Sequence, residues 1–89
     1  MNILEKRPFI LVVDDDESIR DSCTQILTKD GYQAETAKDG SSGLEQIKEK
    51  KPDFISLDLV MPNKSGIRFY RELRKNKEWS NIPRWLYFC

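Results

Sequence analysis

The sequence predicts an α/β domain: a doubly wound parallel sheet with helices on both faces, in the order βαβαβαβ. Three observations carry this reading. An unbroken apolar, β-rich run at residues 9–13, FILVV, suits a strand covered on both faces. Runs of that kind alternate with stretches of helical period, which implies parallel strands joined by right-handed crossovers. Acidic residues then close two of the runs, DDDE after Val13 and Asp58 after Leu57. Those are the carboxyl strand ends, where such sheets collect ligands.

Each element follows in order. From Glu17 the period changes, and Ile19, Cys23, Ile26 and Leu27 form one apolar stripe of an amphipathic helix. Gly31 supplies its stop. Residues 32–37 alternate, with Tyr32, Ala34 and Thr36 opposite Gln33 and Glu35, as on a half-exposed edge strand. Asp39 can cap a second helix reaching Lys50, with Leu44 and Ile47 inward, although Gly40 and Gly43 weaken its first turn. Pro52 and Asp53 break that helix, and Phe54 to Leu57 forms a short strand ending at Asp58. Residues 63–66 make a turn, and Ser65 can cap a third helix with Ile67, Tyr70 and Leu73 facing the core. Residues 79–83 are a loop, and Arg84 to Cys89 is the fourth strand.

At 89 residues the chain is one domain, residues 1–89, with no repeat, linker or low-complexity segment. Fifteen basic and fifteen acidic residues cancel, so no global field points to nucleic acid or an anionic membrane. No apolar run approaches a membrane span, and MNILEKRPF lacks the apolar core of a secretory signal. A cytoplasmic location is therefore expected. The chain has no histidine, and Cys23 and Cys89 lack metal-ligand spacing. Structural zinc and histidine-based triads are excluded. Whatever chemistry occurs here uses carboxylates.

Adjacent strands lie about 4.8 Å apart. If the first and third strands are neighbours, Asp14, Asp15 and Asp58 meet in one crevice. Their hard oxygen ligands suit magnesium, and an aspartate beside such an ion can itself be a phosphoryl nucleophile. Asp16 and Glu17 fit the start of the helix instead, where their charge favours its dipole.

The stretches ILVVDDDESIR and AKDGSSGLEQIKEKKPDFISLDLVMPNKSG, and the IP before the last strand, resemble the receiver domain of bacterial two-component response regulators. The resemblance spans residues 9–83. It implies a flavodoxin-like fold in which Asp58 is the phosphoacceptor, served by a sensor histidine kinase or a phosphotransfer protein. It implies that Asp15, Asp58 and the backbone carbonyl of Val60 ligate Mg²⁺ directly, with Asp14 acting mainly through water, and that Pro62 and Gly66 shape the adjoining loop. It implies a phosphoacceptor rather than an enzyme.

The tail departs from that family. IPRWLYFC puts Phe88 where the family carries a serine or threonine hydroxyl. The family's fourth helix, its fifth strand with a lysine and its fifth helix have no counterpart. Against the family the chain reads as C-terminally truncated and impaired, with an open edge at Trp85 to Phe88 suited to self-association. Two alternatives compete: a receiver-like interaction module that takes no phosphate, and a phosphatase with a D-x-D signature. The latter would use Asp14 as nucleophile and Asp16 as acid/base, but leaves LDLVMPNKSG without a role. A dinucleotide-binding domain is disfavoured because no glycine-rich fingerprint follows the first strand.

Overall fold

A computed structural model describes residues 7–88; residues 1–6 and Cys89, the expected end of the fourth strand, lie outside the described residues. The elements run β1 (Phe9–Val13), α1 (Glu17–Lys29), β2 (Gln33–Ala37), α2 (Gly40–Glu49), β3 (Phe54–Asp58), a 3₁₀ turn (Pro62–Lys64), α3 (Ser65–Lys75) and β4 (Arg84–Tyr87). The four strands form one parallel sheet in the order β2-β1-β3-β4, so β1 and β3 are neighbours, as the acid-site reading requires.

Burial follows the sequence pattern. All five residues of β1 are buried, whereas β2, at one edge, buries fully only Ala37. One face of the sheet carries the main core. Leu11, Val13, Ile55 and Leu57 pack there with Ile47 of α2 and Phe69 and Leu73 of α3, closed by Met61 and Ile82. Burying Phe69 completely contributes about 2–3 kcal/mol before cavity effects.

The other face is covered by α1, which lies mainly over β2. Asp16 caps this helix, its carboxylate accepting from the Ser18 and Ile19 N–H groups. At the other end Gly31 takes φ +94°, and the Tyr32 and Gly31 N–H groups bond back to Leu27 and Thr28, a Schellman closure.

Several expectations are corrected. Ile26, placed on the inward stripe of α1, is 62% exposed. The helix sits toward β2, so Ile26 borders an open apolar groove of about 340 Å³ between α1 and the β3–β4 side, together with Ile10, Val12, Cys23, Leu27, Phe54, Ser56 and Trp85. On α3 the inward stripe is Gly66, Phe69 and Leu73, and Ile67 faces outward. The phase is set across the helix pair: a Cβ on Gly43 would lie 2.8 Å from the Phe69 ring, so the glycine makes room for the aromatic. Ser65 is not the cap of α3. That position is Lys64, in the left-handed region at φ 58°, with no side-chain cap bond. Tyr32 precedes β2 rather than opening it.

Candidate functional site

The site stands at the carboxyl ends of β1 and β3. Parallel register sets Val13 beside Leu57, so the next residues, Asp14 and Asp58, emerge side by side. Asp14, Asp15 and Asp58 each present a carboxylate oxygen, all within 4.8 Å of one another. Asp14 and Asp58 are fully buried; Asp15 is exposed. The structure therefore brings together the three aspartates that the sequence nominated.

Each buried carboxylate is oriented by its own backbone. Asp14 Oδ1 accepts from the Asp16 N–H at 2.8 Å, and Asp58 Oδ1 accepts from the Val60 N–H at 2.9 Å. Arg20 Nη1 donates to the Asp14 carbonyl at 2.8 Å, and the Asp14 N–H donates to the Ala37 carbonyl at 3.0 Å. Asp16, with its carboxylate committed to the α1 cap, stands outside the cluster. Val60 is held against Asp58 through its N–H while its side chain is exposed.

The donor set fits a hard divalent cation. Three oxygen donors converge, and two fully buried carboxylates side by side repel until a positive charge joins them. Pro62 opens the 3₁₀ turn beside the cluster, and Gly66 lies directly beneath it. A Cβ on Gly66 would come within 2.2 Å of the Asp58 carbonyl oxygen. From Asp15 an open cleft of about 780 Å³ runs between α2 and α3, past Lys38, Arg68 and Arg71. Lys75 joins these cations along the cleft, and Asp39 and Glu72 offset part of their charge.

The sequence reading missed one residue. Phe88 is 77% exposed, but Tyr87 pairs in register with Asp58 and donates its hydroxyl to Asp14 Oδ2. Burial, then the bond to Asp14, pushes the Tyr87 hydroxyl far above its usual range, so it stays a protonated donor at neutral pH. The signal was present: Trp85 and Tyr87 share one face by the two-residue period, and parallel register sets that face level with Asp58. Cys23, half-buried, has its thiol pushed up by burial and by Asp14, which disfavours the nucleophilic thiolate.

Comparison with known proteins agrees with this fold. Residues 10–87 match the family described as the response regulator receiver domain. The chain is 45% identical over 65 residues to the response regulator MprA of Mycobacterium ulcerans (strain Agy99), covering 73% of this chain and 28% of that protein. It therefore spans little more than a quarter of the length of the curated relatives it matches. Among solved structures, the chemotaxis protein CheY4 of Vibrio cholerae superposes with a TM-score of 0.84 at 31% identity, over 90% of this chain and 67% of that one. The N-terminal domain of a response regulator receiver protein from Methanoculleus marisnigri JR1 gives 0.84 at 30% identity, over 89% and 64%.

Proposed function

We propose a phosphoacceptor function for this chain, which belongs to the response regulator receiver domain family. Receiver domains of this family act in phosphorelay signalling and are generally phosphoacceptors rather than enzymes. The observation that carries the reading here is Asp58, fully buried at the end of β3 with Asp14 and Asp15 converging on it.

In the proposed reaction an Asp58 carboxylate oxygen attacks the phosphorus of a phosphohistidine on a sensor kinase or phosphotransfer protein. The O–P bond forms as the P–N bond breaks, and the histidine nitrogen leaves with the electron pair. Asp15, Asp58 and the Val60 carbonyl would hold Mg²⁺, with Asp14 reaching it through water; when bound, the ion would supply neutralisation of charge on the phosphoryl oxygens. This chain's own contribution is orientation. The Val60 N–H fixes the Asp58 carboxylate, and the Asp16 N–H fixes Asp14. A cytoplasmic site of action goes with this reading; among the described residues no helix is long and apolar enough to cross a membrane.

The phosphatase alternative loses support from the same geometry. Asp14 has both oxygens engaged, and Asp16 is committed to a helix cap. Self-association is favoured by one observation: β4 is an edge strand whose Trp85 is 65% exposed beside Phe88. Size-exclusion chromatography with light scattering tests it. A monomer across micromolar concentrations refutes it.

Acetyl phosphate and magnesium, followed by mass mapping, test the phosphoacceptor. Phosphate should appear on Asp58 and vanish in Asp58→Asn. Phosphate on Asp14 that survives Asp58→Asn would overturn the assignment, and no label at any magnesium concentration would favour an interaction module.

A further inference from the structure

The Tyr87 hydroxyl lies where the cation chemistry of the cluster is decided. Asp14 has a donor on each oxygen: the Asp16 N–H on Oδ1 and the Tyr87 hydroxyl on Oδ2. Its backbone is pinned as well, by Arg20 on the carbonyl side and Ala37 on the amide side. A carboxylate so held keeps a lone pair on each oxygen to accept a hydrogen bond from a cation's water, but its orientation is set by the two donors, and any turn toward direct ligation works against the bond to Tyr87. Asp15, exposed, has no such restraint.

Cations differ in what they ask of such a set. Magnesium keeps several waters and takes one or two carboxylates in strict octahedral geometry, whereas calcium collects six to eight oxygens in flexible geometry. A cluster that offers two carboxylates and withholds a third suits the first ion and starves the second.

We propose that Tyr87 is a positioning residue which holds Asp14 outside the cation's inner sphere and thereby biases the acid cluster toward magnesium over calcium. The inference rests on the cluster being a cation site, as the proposed function requires. Because Tyr87 ends the edge strand β4 and pairs in register with Asp58, the same bond ties that edge to the cluster.

The test is isothermal titration of the full chain with MgCl₂ and, separately, with CaCl₂. Tyr87→Phe removes one oxygen and keeps the ring, and a thermal melt confirms that the variant is folded. Its calcium affinity should rise relative to magnesium by roughly tenfold, the scale of one hydrogen bond to a charged group. In an Asp14→Asn background the same substitution should leave the ratio unchanged. Parallel weakening of both ions, or an unchanged ratio, would show Tyr87 to be a packing strut and overturn the proposal. A second measurement stands without the tyrosine variant: Asp14→Asn should cost less magnesium affinity than Asp15→Asn, and an equal or larger loss overturns it too. Wild-type protein that binds neither ion at millimolar concentration would sink the cation-site reading and this inference with it. A ratio that fails to move sinks only the inference.

Discussion

Gly66→Ala sets two effects of opposite sign against each other at the floor of the acid site. Gly66 is the second residue of α3, and replacing a helical glycine with alanine ordinarily stabilises by up to about 1 kcal/mol. Here the new methyl would lie 2.2 Å from the Asp58 carbonyl oxygen and 2.9 Å from both the Leu59 Cα and carbonyl oxygen. All three are backbone atoms, and that backbone is tied down by the Leu59 N–H on the Tyr87 carbonyl and by the Val60 N–H on Asp58. Forcing extra volume into a packed contact costs about 1–3 kcal/mol, and a contact this short belongs at the upper end. The net loss is about 2 kcal/mol. For a chain of this size that corresponds to a fall in Tm of about 8–16 °C. Thermal unfolding followed by circular dichroism reads it directly. A variant that melts at or above the wild-type temperature would show that helix propensity wins over the close approach beneath Asp58, and would refute this reasoning.

Phe69→Ala should cost about 3–5 kcal/mol in urea unfolding, because the ring is fully buried against Gly43, whereas Ile67→Ala, one step round the helix, should cost well under half as much. Lys64→Gly should stabilise by about 1 kcal/mol in the same assay, since φ 58° is a left-handed conformation that glycine adopts freely; a loss would mean that the lysine side chain does something more. The Ser42 backbone N–H bond holds the Asp39 carboxyl below the usual aspartate range. A carboxyl lowered in the folded state adds stability above its unfolded pKa and loses it as pH falls through the folded one. Asp39→Asn keeps the cap but cannot titrate, so its deficit against wild type, followed by thermal melts between about pH 7 and about pH 2, should shrink on acidification. A deficit that is constant with pH would refute the charge-based part of the cap.

How far the sequence could be read depended on whether a feature was local. The β1 run is apolar without interruption, and so it reads as a strand buried on both faces. Among the four acids after it, Asp16 directly precedes the first helical residue, where a capping role is favoured by local chemistry alone. The phase of α3 was not local. Ile67, Phe69, Tyr70 and Leu73 admit two inward stripes, and the choice between them is made by Gly43 on α2, which leaves room for Phe69 and not for a ring one step away. Ile26 failed for a similar reason: its helix is amphipathic as expected, but the lateral position over β2 leaves that end of the stripe uncovered. The left-handed Lys64 had no signal, because lysine carries no preference for that conformation. Tyr87 did have one, since the two-residue strand period sends it and Phe88 to opposite faces.

Residues 58–66 show why a site of this kind tolerates local strain. Two consecutive non-glycine residues, Asn63 and Lys64, sit at φ 60° and 58°, conformations that cost about 1–2 kcal/mol each. They turn the chain sharply enough for α3 to begin directly beneath Asp58, where only a glycine fits. Ser65, freed from capping its own helix, accepts the Gly40 N–H at the start of α2 and so fastens the loop to the neighbouring helix. Met61, buried, anchors the near end of the loop in the core. The loop is thus gripped at both ends by packing, and the strain between them is held there by contacts that form only in the folded chain. Relaxing Lys64 with glycine would recover energy locally while loosening the turn that sets Gly66 under Asp58. Stability and placement of the phosphoacceptor therefore pull in opposite directions in this segment, and the residues present are those that favour placement.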